Sequence, residues 1–195
     1  MKAGKLSKCH LIRRPWIWLL RLRNRKGYGV HSPSAYAFLR GVVYETGAYY
    51  AYATLNRLHP CWVRWFKLYP LTCRRLLFRL ANFAHPRVMT IVGDRPVEEA
   101  YMRAAVPSAK VVTKLEKSDL LFIACEALPK LPLPLPPMPQ YGMLILEGIH
   151  ENAENFTIWH TIQDDTQTGN TYDLYTYGVV FFDTTKNTQH YRVNF

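Results

Sequence analysis

Between Val88 and Leu146 the sequence repeats one pattern, a short apolar run followed by a connector, and nothing else restricts the fold as strongly. Val88-Met89-Thr90-Ile91-Val92-Gly93, Lys110-Val111-Val112-Thr113-Lys114-Leu115, Leu120 to Ala124 and Met143 to Leu146 are strand candidates. Their continuous apolar character suits strands of a parallel sheet covered on both faces. Pro96 to Ala105 and Glu151 to Asp165 read as helices. Tyr172–Tyr175, Gly178–Asp183 and Gln189–Phe195 read as terminal strands, the last two flanking Thr184 to Thr188 as a hairpin loop. Six prolines between Cys125 and Gln140 predict an extended connector there, with no helix. The expected plan is an α/β doubly wound, Rossmann-like sheet, parallel with a C-terminal antiparallel hairpin. The run at Val88 is expected to be central and parallel to those at Lys110, Leu120 and Met143, through right-handed crossovers. Lys117-Ser118 is too short a link for a crossover between neighbours, so one of the flanking runs is expected outside the sheet.

The segment before Arg87 is different. Ser32 is a good N-cap and Pro33 suits the first helical position, which predicts a helix to about Glu45. Tyr49–Leu58 and Cys73 to Phe83 are further helical stretches, the latter with Leu76, Leu77, Leu80 and Phe83 at helical spacing. The organisation is thus a basic segment over 1–26, a helical extension over 27–86 and an α/β domain over 87–195, in one globular unit. Of 195 residues, 49% are hydrophobic and 20% charged, a globular composition with room for one domain.

Charge is unevenly placed along the chain. Residues 1–90 carry seventeen Lys and Arg against one acid, Glu45, whereas residues 91–195 carry eight against thirteen acids. Residues 1–26 hold nine basic residues and no acid, so polyanion contact through this segment is expected, weak and without sequence preference. Its deletion is expected to leave the sheet folded. Trp16, Trp18 and Leu22 raise the alternative of an anionic membrane surface. No run approaches the ~20 apolar residues of a transmembrane helix, and no signal-peptide core is present, which predicts a cytoplasmic protein. Cys9, Cys61, Cys73 and Cys125 show neither a C-x-x-C pair nor zinc-finger spacing, and no metal site is expected from them. Glu126 beside Cys125 raises rather than lowers the thiol pKa.

Several stretches then line up in order: Gly27-Tyr28-Gly29-Val30-His31-Ser32-Pro33, Leu76 to Phe83, Asp119-Leu120-Leu121-Phe122-Ile123, Ile149-His150, and Gly178-Val179-Val180-Phe181-Phe182 followed by Gln189-His190. Over residues 27–195 the chain resembles the small bacterial class I S-adenosylmethionine-dependent methyltransferase-like proteins, in which a helical extension precedes the sheet. The resemblance implies a first strand ending in acid-x-Gly-x-x-x-Gly, where glycines admit the cofactor to the backbone. Gly93 matches the first glycine, but Ile91 stands at the acid and Val97 at the second glycine, with Glu98 and Glu99 in the following turn. Glu116 matches the acid that bonds the ribose. His31 is a further ligand candidate, opposed by a role in the turn it precedes.

The same resemblance implies an acid at the end of the fourth strand, where Ala124 and Cys125 stand, and paired aspartates after the fifth, replaced by Glu147-Gly148. His150 persists, and Glu147, His150 and Glu151 are candidates for a remnant acid–base or metal cluster. Between Glu116 and Asp119 a helix, a strand and a helix are missing, so the sheet is expected to have fewer strands. These losses imply a degenerate member that has lost catalysis and acts as a scaffold or weak ligand binder, with weak or absent cofactor binding. The alternatives are an active enzyme with an atypical pocket and a basic module for nucleic acid or membrane. The gap also leaves sheet surface that a homodimer would cover.

Overall fold

The computed structural model describes residues 16–25, 27–60, 69–115, 117–185 and 187–195. The apolar runs form β1 (Val88–Val92), β2 (Lys110–Val112), β3 (Leu120–Ile123) and β4 (Met143–Glu147), followed by β5 (Thr171–Asp173), β6 (Tyr177–Phe181) and β7 (His190–Arg192). They make one seven-stranded sheet in the order β2-β1-β3-β4-β6-β5-β7. β1 pairs in parallel with both β2 and β3, and β3 with β4. β6 runs antiparallel between β4 and β5. The expected parallel set is therefore present, with β1 flanked on both sides but second from the edge rather than central.

Alternation along the central strands divides the core into two layers. Met89, Ile91, Leu120, Phe122, Met143 and Ile145 face a helical layer that contains Phe38, Leu39, Leu76, Leu77, Leu80, Tyr101 and Met102. These come from α1 (Pro33–Phe38), its π-helical continuation Leu39–Val43, α3 (Tyr69–Ala84) and α4 (Pro96–Ala105). A four-residue α2 (Tyr52–Leu55) completes that side. The Ser32 hydroxyl caps α1 by accepting from the Ala35 amide, with Pro33 in the first turn, as the sequence predicts. Buried Arg79 of α3 donates to the carbonyls of Val42 and Val43 at 2.6 and 2.9 Å, which closes the end of the α1 continuation. On the other face Leu121, Ile123, Leu144, Leu146 and Val180 pack with Trp159 and Ile162 of α5 (Ala153–Gln163) and with Leu135 of the proline-rich connector.

Three expectations need correction. Both runs around Lys117-Ser118 contribute a strand to the sheet, but the first does so only over Lys110–Val112, and β2 and β3 are not neighbours and lie on either side of β1. Lys110 is level with Val88 and Leu120 with Met89, so residues 113–119 need to travel sideways by only two strand spacings, roughly 10 Å. Leu115 from this link packs into the α5-side core, where a helix would otherwise lie. Secondly, the terminal hairpin joins β5 to β6; β7 does not pair with β6, whose two sides are already taken, and adds in parallel to β5 instead. Thirdly, Cys125–Lys130 forms a short 3-10 element that contains Pro129, closed at its ends by the Ala127 amide on the Ala124 carbonyl and the Leu131 amide on the Leu128 carbonyl. Among the described residues no helix, strand and helix separate β2 from β3, yet the sheet is not reduced as expected, because β7 brings the count to seven.

The N-terminal segment is not a free arm over its described part. Residues 16–20 are helical and Leu22–Asn24 form a 3-10 turn. Buried Arg21 reaches Asp173 at the carboxyl end of β5, donating to Oδ1 and Oδ2 at 2.9 Å each. The Asn194 side chain donates to the Trp18 carbonyl at 3.0 Å, and its amide to the Asn24 carbonyl at 3.1 Å. Residues 16–25 thus contact the sheet, and removing them would take the Arg21 cation from a buried carboxylate. Arg21→Ala is expected to destabilise the fold by about 3–5 kcal/mol in urea unfolding. Exposed Arg23→Ala should leave the midpoint unchanged.

Candidate functional site

All the candidate catalytic and glycine positions fall at one edge. β1, β3, β4 and β5 end on the same side of the sheet, and the loops that follow them carry Gly93 to Arg95, Ala124 to Glu126, Glu147 to Glu151 and Asp173 to Tyr175. β1 feeds α4 on one face, whereas the β2–β3 link and α5 lie on the other. The chain therefore changes faces between β1 and β3, which is where an open α/β sheet forms its ligand crevice.

Arg95 spans that crevice. It precedes α4 and donates through Nε to Glu147 Oε2 at 2.8 Å, and through both terminal nitrogens to Glu126 at 2.8 and 2.6 Å. The Cys125 amide also donates to Glu147 Oε2 at 3.3 Å. One guanidinium thus ties the end of β1 to the ends of β3 and β4. Burial opposes the Arg95 charge, but Glu147 and Glu126 outweigh it and raise its pKa. Burial pushes the Glu147 carboxyl up, Glu98 adds to this, and Arg95 pulls against it.

The glycines tighten the same closure. Gly93 has φ +114°, and a Cβ there would stand 2.4 Å from the Ala124 Cβ. Gly148 has φ +73°, and its Cβ would stand 2.5 Å from the Cys125 sulfur. Both glycines allow close packing between neighbouring strand ends. The acids of the first α4 turn point elsewhere: Glu98 pairs with Arg74 of α3 at 2.8 Å and Glu99 with Arg103 at 2.6 Å. Burial, aided by Glu147 and Glu151, pushes the Cys125 thiol up to about 11, which leaves it protonated at neutral pH.

Glu147 and His150 do not act on one another. The His150 ring stacks on Tyr175 at 5.1 Å, with Nε2 2.9 Å from Asp173 Oδ2 and 3.1 Å from an Arg21 nitrogen. A single ring nitrogen serves as donor to the carboxylate or acceptor from the guanidinium, one at a time. Glu147 and His150 thus hold different partners, and among the described residues no group of three or more His, Cys, Asp or Glu is disposed to hold a metal. His31 is exposed beside the α1 cap, and no hydrogen bond or ion pair links it to these loops. Glu116 lies outside the described residues. Two cavities, of about 340 and 410 Å³, are lined by none of Gly93, Arg95, Glu126, Glu147 or His150.

Arg95, Asp173 and Arg21 were not among the sequence candidates, and Glu126 was noted only for its effect on Cys125. Arg95 did carry a signal: a cation at a helix N-terminus opposes the helix dipole and asks for acids to hold it. Asp173, between Tyr172 and Leu174 in a strand, carried a similar one. The chain matches no protein-family model and no curated protein sequence.

Burial alone would raise the Asp173 pKa, but hydrogen bonds from His150 and Arg21 overcome it and hold the carboxyl well below the usual range. Its unfolded value is about 3.9, so its stabilisation is fully present above that pH and drains as pH falls below it. The Asp173 contribution to the unfolding free energy should stay level down to about pH 4 and fall steeply below it for the native chain. Asp173→Asn should start lower and fall less.

Proposed function

We propose that this chain is a methyltransferase-like protein that has given up catalysis and serves as a scaffold. The observation that carries the reading is Arg95, which fills the crevice between β1, β3 and β4 with its own ion pairs to Glu126 and Glu147. In a doubly wound sheet that crevice receives the ligand. The order β2-β1-β3-β4 agrees with such a sheet lacking one outer strand, and supports the resemblance carried by the sequence motifs.

The residues do not fit S-adenosylmethionine in the way the resemblance implies. Ile91, at the acid position, is buried in the helical-side core. Gly93 packs on Ala124, and Val97 replaces the second glycine. The two catalytic candidates are both engaged: Glu147 with Arg95, His150 with Asp173 and Arg21. Opening the crevice would break two charge-assisted contacts of a largely buried guanidinium, a cost that cofactor binding would have to exceed.

Calorimetric titration with S-adenosylmethionine, and with its demethylated product, tests this. Affinity weaker than about 1 mM is expected, corresponding to less than ~4 kcal/mol. Micromolar binding to the native chain, lost in Glu116→Ala, would contradict the scaffold reading and favour an active enzyme.

A further inference from the structure

The helical turn at residues 16–20 is amphipathic the wrong way round. Its inward side carries Ile17 and the charged Arg21, which is 8% exposed and held by Asp173. Its outward side carries Trp16, Leu19 and Leu20, spaced i, i+3 and i+4, and these are 71, 55 and 82% exposed. Leu22, at 45%, extends the patch. A surface helix ordinarily buries its apolar stripe and leaves its arginines in water. Here the ion pair to Asp173 fixes the opposite orientation, so the apolar side is presented by a rigid anchor to the sheet and not by chance exposure.

Charge selects the occupant. Arg23 and Arg25 stand exposed at the end of the turn, and the sequence adds Lys2, Lys5, Lys8, Arg13, Arg14 and Lys26; the first acid in the sequence is Glu45. A tryptophan-containing apolar face with Arg23 and Arg25 exposed beside it, in a segment of basic sequence, matches an anionic lipid surface, where the rings and aliphatic chains enter the headgroup–acyl boundary and the cations meet phosphates. A second copy would bring the same cations face to face. Single-stranded nucleic acid would gain nothing from Leu19 and Leu20, which offer no stacking surface. We propose that residues 16–25 dock this protein on an anionic membrane surface, lying on it and not crossing it. Among the described residues no helix is long and apolar enough to cross.

Sedimentation of the full chain with vesicles tests the proposal, using phosphatidylcholine alone and phosphatidylcholine with an equal part of phosphatidylglycerol. The native chain should pellet with the mixed vesicles and far less with phosphatidylcholine. The double variant Leu19→Gln, Leu20→Gln changes only exposed side chains and should bind the mixed vesicles at least ~10-fold more weakly, with an unchanged unfolding midpoint. Equal pelleting of variant and native chain would reduce the contact to charge alone and overturn the proposal. So would failure of the native chain to pellet, a native dimer that the double variant dissolves, or leucine-dependent binding to single-stranded DNA.

Discussion

The carboxyl edge of this sheet is organised by where positive charge is buried. Arg95 joins three strand ends through two carboxylates, and Arg21 joins the N-terminal turn to the end of β5 through Asp173. Arg21 is buried and tolerates its position only while Asp173 is in place, because removing a partner leaves an uncompensated charge. Arg95, by contrast, is half-buried and holds one buried and one exposed acid. The two arginines therefore fix what the edge can do. Between β1 and β4 it is closed by its own ion pairs, and beside β5 it receives a segment from the beginning of the sequence.

The glycines follow from that closure. Gly93 and Gly148 allow the loops after β1 and β4 to approach Ala124 and Cys125 at distances where any side chain would collide. In a ligand-binding loop the same residue type would admit a ligand to the backbone. The Cys125 thiol, pushed up by burial and neighbouring acids, is packing material as well.

The sheet was legible because its strands are apolar on both faces, a pattern that few other structures produce. β1, β3 and β4 begin and end within a residue or two of the apolar runs, as does the capped start of α1 at Ser32 and Pro33. Pairing partners were not legible at the C-terminal end, since β5, β6 and β7 are short and their order depends on which edge of β4 is free. The site was half legible. The resemblance pointed to Gly93, Glu147 and His150, which lie at one edge, but ion pairs between residues as far apart as Arg21 and Asp173 leave no periodic trace in a sequence. The basic segment misled for the same reason: eight of its cations resemble a solvated charge run, and the ninth is structural.

Whether Arg95 holds the crevice shut is measured most directly by a double-mutant cycle on Arg95 and Glu147. Urea unfolding of Arg95→Ala, Glu147→Ala and the double variant isolates their coupling from the separate costs of each change. The closed-crevice account predicts a favourable coupling of about 1.5–3 kcal/mol, with the double variant less damaged than the two single changes together. Additivity within about 0.5 kcal/mol would mean that Arg95 and Glu147 act independently, and that the crevice is not closed by their contact.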